Sequence, residues 1–479
     1  MRYIRIEEAE PGMLLAKGVF DEYSRMLIAK KRPITAEYIE KLKERGYLGF
    51  YIEDEFSKGI EIEETISVEL RNRGAEALRK KDIDASLQVA KDVVKQILAS
   101  DSITLDMVDL RTFDDYTYRH SVNVAVLSTI IGMGLGLKRE ELIDLCVGAM
   151  FHDMGKLMID PEVLNKPGRL TKEEFKLIKM HPQLSVELLA ERWNVSLEAK
   201  KAILAHHENE DGSGYPRGLQ SEKIPLYAKI IHVADVYDAL TSKRPYKDPN
   251  TPSEATEYLM GGCDILFNRQ VVTTFLKCVP VYPKGVLVKL SDGREGLVYE
   301  NTSNPLRPKI RLRNGELLDL GDESKNRHIT INPSSSVEAD YSNEMAAIDT
   351  SKSDNRPIVL AVDDTIMTLQ MVRNICETQF RVVMAKTGKE AISDIHKKGM
   401  PAVILMDVVL PGVDGIETAR TIRQLFEEPA PIIFLTALSD RETVERCKKV
   451  GAADYIVKPF RPSYLIGRIR VALGLERDA

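Results

Sequence analysis

The sequence predicts a multidomain fold, with an all-α helical domain in the middle and a doubly wound α/β domain at the C-terminus. Three observations carry this. Five β-branched apolar runs near the end, IVLAV, RVVMA, AVILM, IIFLT and DYIV, each precede a helical stretch, the pattern of a parallel sheet covered on both faces. Residues 101–280 show long amphipathic helical spacing and no convincing strand. Short alternating runs flank that region on both sides, so small β-containing modules frame it. A length of 479 residues suits about three domains.

Residues 1–62 read as a small α+β N-terminal module, in which YIRI, LLAKGVF, MLIAK and GFYIE surround one helical stretch, ITAEYIEKLKERG. Residues 63–100 contain no proline and space Leu70, Ala77, Leu78, Leu87, Val94, Ile97 and Leu98 at helical intervals. They predict a helical connector with a face for a second copy of the chain, so a homodimer is an expectation. Residues 101–280 form the helical domain. Residues 281–331 predict a small β extension, because SDG and NG turn signals split VYPKGVLVKLSDGREGLVYEN and KIRLRNGELLDL. The polar, serine-rich stretch 332–355 predicts a linker, with a turn of helix near Asn343–Ile348. Residues 356–479 form the α/β domain.

The net charge of −6 leaves no basic footprint, which argues against duplex nucleic acid or a polybasic membrane contact. The longest apolar-leaning stretch, residues 125–137, is glycine-rich and too short to span a bilayer, so no membrane insertion is expected. MRYIRIEEAEPG does not read as a secretory leader. Cys146, Cys263, Cys278, Cys376 and Cys447 are scattered without a CxxC pair, which fits a reducing, cytoplasmic setting.

Of eight histidines, six fall in the helical region, and five of them, His120, His152, His181, His206 and His207, sit beside an acid or at a helix boundary. AMFHDMGKL sets His152 beside Asp153 in an apolar helical pattern, with Lys156 at i+3 from Asp153. HVADVYDAL puts Asp235 and Asp238 on one helix face. A charged group on an apolar helix needs a cation or a hydrogen-bond network. Mixed imidazole and carboxylate donors suit Fe, Mn, Ni or Zn. The donors exceed what one tetrahedral ion takes, and two ions sharing an aspartate would use them all. Two ions about 3.5–4 Å apart activate water and stabilise in-line displacement at phosphorus, with Lys156 neutralising the phosphate. His232 reads as a packing histidine, and Trp193 as a helix anchor.

HDMGK (152–156) followed by HHENEDGSGYP (206–216) resembles the HD-GYP subgroup of the HD phosphohydrolases. The resemblance runs from about residue 101 to 300, through YTYRHS, KMHP, IIHVADVYDALTS and RPYK. It implies hydrolysis of cyclic di-GMP to pGpG or GMP. It also implies two divalent ions, Fe or Mn, held by His120, His152, Asp153, His181, His206, His207 and Asp235, with Asp153 bridging. Asp153 and Lys156 would be catalytic. Lys156, Arg244 and Lys247 would contact substrate, and Gly214, Tyr215 and Pro216 would shape the pocket mouth. Some family members carry a glutamate where this chain has Tyr116 and bind a third metal, so two are expected here. Asn209 and Glu210 replace a usual Arg and aromatic, and Asp160-Pro161 reverses a usual Pro-Asp order.

In the C-terminal domain, Asp363, Asp364, Asp407, Thr436 and Lys458 all fall at strand ends, which gather into one site in a doubly wound sheet. Three carboxylates together call for a hard cation such as Mg²⁺. The domain resembles a response-regulator receiver of flavodoxin-like fold. That resemblance implies Asp407 as phosphoacceptor from a sensor histidine kinase or phosphotransfer protein, with Asp363, Asp364 and Asp407 around Mg²⁺. Thr436, Tyr455 and Lys458 would form the switch, and a cis bond would precede Pro459. The expected function is therefore a phosphodiesterase regulated by phosphorylation. A non-catalytic nucleotide- or protein-binding scaffold, or an enzyme for another cyclic dinucleotide, are the alternatives.

Overall fold

The computed structural model describes residues 1–20, 25–62, 65–99, 116–164, 166, 170–242, 250–302, 304–331, 356–364, 366–377, 379–410, 414–426, 428–436, 441–458, 460 and 462–475. The expected linker, with its turn of helix, lies outside these residues. The chain forms two compact units, Met1–Thr256 with Phe267–Ala346, and Glu257–Leu266 with Ala347–Ala479.

In the first unit, β1 (Arg2–Arg5) pairs antiparallel with β4 (Gly49–Ile52), and β2 (Val19–Phe20) with β3 (Met26–Ile28). Between them α1 (Ala36–Glu44) starts where Thr35 Oγ accepts the Tyr38 N–H. Ile4, Leu15, Ile39, Leu42 and Phe50 form this module's core.

The helices α2 (Val68–Arg79) and α3 (Ile83–Leu98) begin at the caps Ser67 and Asp82. They pack on α4 (Tyr116–Gly134) and α5 (Arg139–Phe151), so the connector stretch contributes to the helical core. Then come the short α6 (Pro161–Leu164), α7 (Lys172–Ile178), α8 (His181–Leu188), α9 (Leu197–Ala205), α10 (Leu226–Thr241), α11 (Pro252–Gly261) and α12 (Arg269–Cys278). Asp160 opens α6 by accepting the Glu162 N–H at 2.9 Å, with Pro161 at the first helical position, which accounts for the Asp-Pro order.

Three of these helices are apolar nearly all round. Val124, Leu127 and Ile131 on α4, Leu145, Ala149 and Met150 on α5, and Ile231, Val233 and Tyr237 on α10 are fully buried. Such helices make the core of a domain, and any polar group on them is an exception that needs a partner. The exceptions include the predicted site residues His120 and Asp235, beside Asn123, Ser128, Thr129, His232 and Asp238. Among the described residues no helix is long and apolar enough to cross a membrane.

After the helices, β5 (Leu287–Lys289), β6 (Glu295–Glu300), β7 (Lys309–Leu312) and β8 (Leu317–Asp319) form one antiparallel sheet in sequence order, followed by α13 (Glu323–Asn326). This extension is not isolated. The Tyr3 N–H donates to Gly285 O at 3.0 Å, and Tyr51, Ile60 and Ile62 bury against Leu297. The N-terminal module and the β extension, far apart in sequence, therefore share a core.

The second unit contains a five-stranded parallel sheet with strand order β10-β9-β11-β12-β13. These strands are β9 (Ile358–Val362), β10 (Arg381–Ala385), β11 (Val403–Asp407), β12 (Ile432–Thr436) and β13 (Asp454–Val457). The helices α14 (Ile366–Cys376), α15 (Gly388–Lys398), α16 (Gly415–Leu425), α17 (Arg441–Lys449) and α18 (Pro462–Ala472) follow the successive strands. Alternation divides each strand between two cores. Leu360, Ile404 and Phe434 face one, and Val359, Leu405 and Ile433 face the other.

Trp193 is not a helix anchor. It lies between α8 and α9 and is 93% exposed, while Leu189 and Val195 fill the core on either side.

Candidate metal centre

His152 and Asp153 do not sit inside a helix, as the apolar pattern suggested. The α-helix ends at Phe151, His152 caps it, and the chain tightens into a 3₁₀ turn over Met154–Met158. Residues three apart eclipse in such a turn. Lys156 Nζ accordingly reaches Asp153 Oδ2 at 2.8 Å. Ser185 of α8 fixes the turn, accepting the Gly155 N–H at 2.7 Å and donating to His152 O at 2.9 Å. Gly155 is required by close approach, since a Cβ there would meet His181 O at 2.1 Å.

The remaining candidate ligands come from element ends and neighbouring helices. His120 lies in the first turns of α4, His181 opens α8, His206 and His207 follow α9, and Asp235 lies on α10. These residues converge. One set of donor atoms comes from Asp153, His181, His206 and His207; others combine His120, His152 and Asp153, or His152, His206 and Asp235. Asp153 lies between them, with Oδ1 3.3 Å from His181 Nε2, and Oδ2 3.4 Å from His152 Nε2 and 3.7 Å from His120 Nε2. His120 Nε2 is 3.0 Å from Asp235 Oδ1.

The ring tautomers follow from the Nδ1 partners. His152, His181 and His206 each donate Nδ1–H to a carbonyl three residues earlier: Ala149, Ile178 and Ile203. Their Nε2 lone pairs therefore point into the site. The Nε2 atoms of His181 and His206 stand only 3.2 Å apart, an arrangement that repels unless a cation lies among the lone pairs. His152 Nε2 and Asp153 Oδ1 are buried with no hydrogen-bond partner. Orphaned polar atoms are costly in a dry site and fit a bound metal.

Burial, then the neighbouring imidazoles, holds His206 well below the usual histidine range, and the same causes act on His207. Burial and Lys156 push His181 down to about 4. For His120 burial acts downward, but hydrogen bonds to Asp235 and Asp238 outweigh it and raise the ring to about 9. Burial alone would raise Asp153 and Asp235. Instead the histidines around both, Lys156 beside Asp153 and the His120 hydrogen bond to Asp235 hold them well below the usual carboxylate range.

The Gly-Tyr-Pro turn closes the site on one side. Tyr215 stacks on His207 with ring centroids 4.7 Å apart, and Lys179 lies 5.1 Å over the Tyr215 ring. A Cβ on Gly214 would sit 2.4 Å from His207 O, so only glycine passes there. The Tyr215-Pro216 bond is cis. Glu208, 2% exposed, holds this loop by accepting the Arg217 N–H at 2.7 Å and the Leu219 N–H at 2.8 Å. Replacing it with alanine strands both donors, at about 1–3 kcal/mol each. Hydrogen exchange at Arg217 and Leu219 should then quicken by about tenfold or more, with metal content unchanged. Unaltered exchange would remove Glu208 from this role.

The departures from the family pattern have local partners. Asn209 donates to Ser213 Oγ at 2.9 Å, and Glu210 pairs with Lys229 at 3.0 Å. His232 donates to Glu208 O at 3.0 Å and packs edge-on to Phe267, so it is a packing histidine that also supports the loop. Arg244 and Lys247 lie outside the described residues, and so does the side chain of Tyr116.

The second unit gathers its predicted residues at the strand ends. Carboxylate oxygens of Asp363, Asp364 and Asp407 lie within 4.8 Å of one another. Lys458 Nζ is 2.5 Å from Asp363 Oδ2 and 2.8 Å from Asp407 Oδ2. Thr436 is buried at the end of β12, and Tyr455 is exposed on β13. Pro459 lies outside the described residues. Burial pushes the Asp407 carboxyl up to about 7; Lys458 opposes this and Asp363 adds to it.

A carboxyl raised on folding contributes stability below its unfolded value, and that stability is lost as pH rises through about 7. In chelator, Asp407→Asn should therefore melt a few degrees higher than wild type at pH 8, with the gap closing toward pH 5. Differential scanning calorimetry checks this, and a lower melting temperature for the variant at pH 8 would contradict it.

Two segments of the chain match known protein families. Residues 93–265 match the HD domain family, and residues 359–470 match the response regulator receiver domain. The chain thus carries an HD domain and a C-terminal receiver domain. It is 40% identical over 228 residues to the cyclic di-GMP phosphodiesterase PA4108 of Pseudomonas aeruginosa, covering 47% of this chain and 55% of that one. It is 44% identical over 149 residues to the cyclic di-GMP phosphodiesterase response regulator RpfG of Xanthomonas campestris, covering 31% and 39%. It is also 36% identical over 162 residues to the 3'3'-cGAMP-specific phosphodiesterase 2 of Vibrio cholerae, covering 34% and 31%. The matches span between 31% and 55% of these relatives' own lengths.

Sequence reading left three supporting residues without a role. Glu208 and Ser185 carry no distinguishing local signal. Asp238 was visible as the i+3 companion of Asp235, but its partner was not.

Proposed function

We propose that this chain is a metal-dependent phosphodiesterase of the HD-GYP type that hydrolyses cyclic di-GMP to pGpG or GMP, controlled by phosphorylation of its receiver domain. The observation that carries the reading is the convergence of orphaned Nε2 and carboxylate atoms around Asp153 in a buried site. The relatives named as cyclic di-GMP phosphodiesterases support the substrate, and RpfG is also named a response regulator. Two divalent ions, iron or manganese, would be held by His120, His152, Asp153, His181, His206, His207 and Asp235, and would supply Lewis acidity and water activation.

The chain's own residues do the rest. Asp153 faces both histidine sets at once. Lys156 places an ammonium beside Asp153, where it neutralises a phosphate oxygen as charge develops. Arg244 and Lys247 serve as further phosphate- and base-contacting groups, and Gly214, Tyr215 and Pro216 wall the mouth. In the receiver, Asp407 accepts the phosphoryl group from a sensor kinase or phosphotransfer protein. Asp363, Asp364 and Asp407 hold Mg²⁺, and Thr436, Tyr455 and Lys458 respond. Such a chain works in the cytoplasm.

The match to a 3'3'-cGAMP-specific relative favours a second reading, another cyclic dinucleotide as substrate. Competing cyclic di-GMP against 3'3'-cGAMP in one reaction, with products resolved by ion-exchange chromatography, decides between them. Preferential loss of 3'3'-cGAMP would overturn the proposed substrate. For regulation, beryllofluoride should change turnover in wild type and leave Asp407→Asn unaffected. Equal rates with and without it in wild type would end the regulatory reading.

A further inference from the structure

The four metal-facing rings with a defined Nδ1 partner are not equivalent. His152, His181 and His206 rest on neutral backbone carbonyls. His120 alone among them rests on a carboxylate, with Nδ1 2.7 Å from Asp238 Oδ2. Asp238 is 1% exposed and is itself held, its Oδ1 accepting from Asn123 Nδ2 at 3.1 Å and its Oδ2 from Ser242 Oγ at 3.2 Å. A carboxylate behind an imidazole fixes the ring and makes the opposite nitrogen a stronger donor, whereas a carbonyl does so only weakly.

We infer that Asp238 is a positioning residue that makes the two metal positions chemically unequal, strengthening the one that uses His120. This rests on the proposed metal site, and not on the identity of the substrate. Asp238 touches no ligand position directly; it acts through His120. Asp238→Asn keeps the size and removes the charge. Its amide cannot accept from His120, Asn123 and Ser242 as the carboxylate does.

The test is binding of Mn²⁺ alone to the chelated full chain, followed by calorimetry and by metal analysis after desalting. Wild type should take up two ions. In Asp238→Asn one event should weaken by about 10–100-fold while the other stays unchanged. His120→Ala should lose the same event. Ser242→Ala, which leaves the Asp238–His120 bond intact, should retain both. Folded Asp238→Asn with two wild-type events, or with both weakened equally, overturns the inference.

Titrating wild type with Co²⁺ gives a readout that needs no variant. Two successive events with different visible spectra are expected, and a single class of equal sites would overturn it. If wild type takes up no Mn²⁺, this inference and the metal site fall together. If it binds two ions yet leaves cyclic di-GMP intact, only the phosphodiesterase reading falls.

Discussion

Asp153→Ala is expected to lower hydrolysis by at least about 10³-fold, the largest effect in the molecule. Among the described residues, Asp153 is the one carboxylate whose two oxygens face different histidine sets, at 3.3 Å from His181 and 3.4 Å from His152. In the proposed site its loss would remove a shared ligand from both positions, and it leaves Lys156 without its 2.8 Å partner. Metal content should fall with activity. The fold should survive, because the core of α4, α5 and α10 is apolar and does not depend on this group. Steady-state turnover, metal analysis and circular dichroism on one preparation check all three. A folded variant with wild-type metal content and turnover within tenfold of wild type would remove Asp153 from the site.

Chelation should have the second largest effect, and acid should deepen it. Without metal, His181, His206 and His207 are buried neutral rings with values below the ordinary 6.5. A group whose folded value is depressed contributes stability above its unfolded value and loses it as pH falls. For His181 the loss runs from 6.5 down through about 4, worth on the order of 3 kcal/mol. His120 has the opposite sign: raised to about 9, it contributes below 6.5 and loses that contribution as pH rises through about 9. The chelated first unit should therefore melt steadily lower from pH 6.5 to 4. Bound metal should raise the melting temperature without removing that slope, because ligated rings cannot protonate while those of the unfolded chain still do. Melting curves in chelator for wild type and His181→Gln test the assignment, since the variant should lose part of the slope. An unchanged slope would contradict it.

The receiver was legible almost strand by strand, because buried parallel strands write themselves as short β-branched runs with the site residues at their ends. Asp363, Asp407, Thr436 and Lys458 needed only that reading. The metal site was half legible. Histidine clustering and acids on apolar helices pointed to the residues that converge around Asp153, since uncompensated polar groups there are costly. Local geometry was less so: the HD pair sits at a helix end and in a 3₁₀ turn, because Ser185 and His181 O crowd the chain there. The partner of Asp238 was not legible, although Asp238 itself stood out beside Asp235. His120 and Asp238 are 118 residues apart, and no local periodicity pairs them. Trp193 was misjudged for a related reason: a large apolar residue predicts burial only when its neighbours leave room, and Leu189 and Val195 had taken it.

The most direct measurement is hydrolysis of cyclic di-GMP by the purified chain, first stripped of metal and then reloaded anaerobically with Fe²⁺ or Mn²⁺. A two-metal phosphodiesterase should be inert when stripped and should release pGpG or GMP once about two ions per chain are restored. Two bound ions with no product from cyclic di-GMP would contradict that reading and move the chain to another nucleotide or to a binding role.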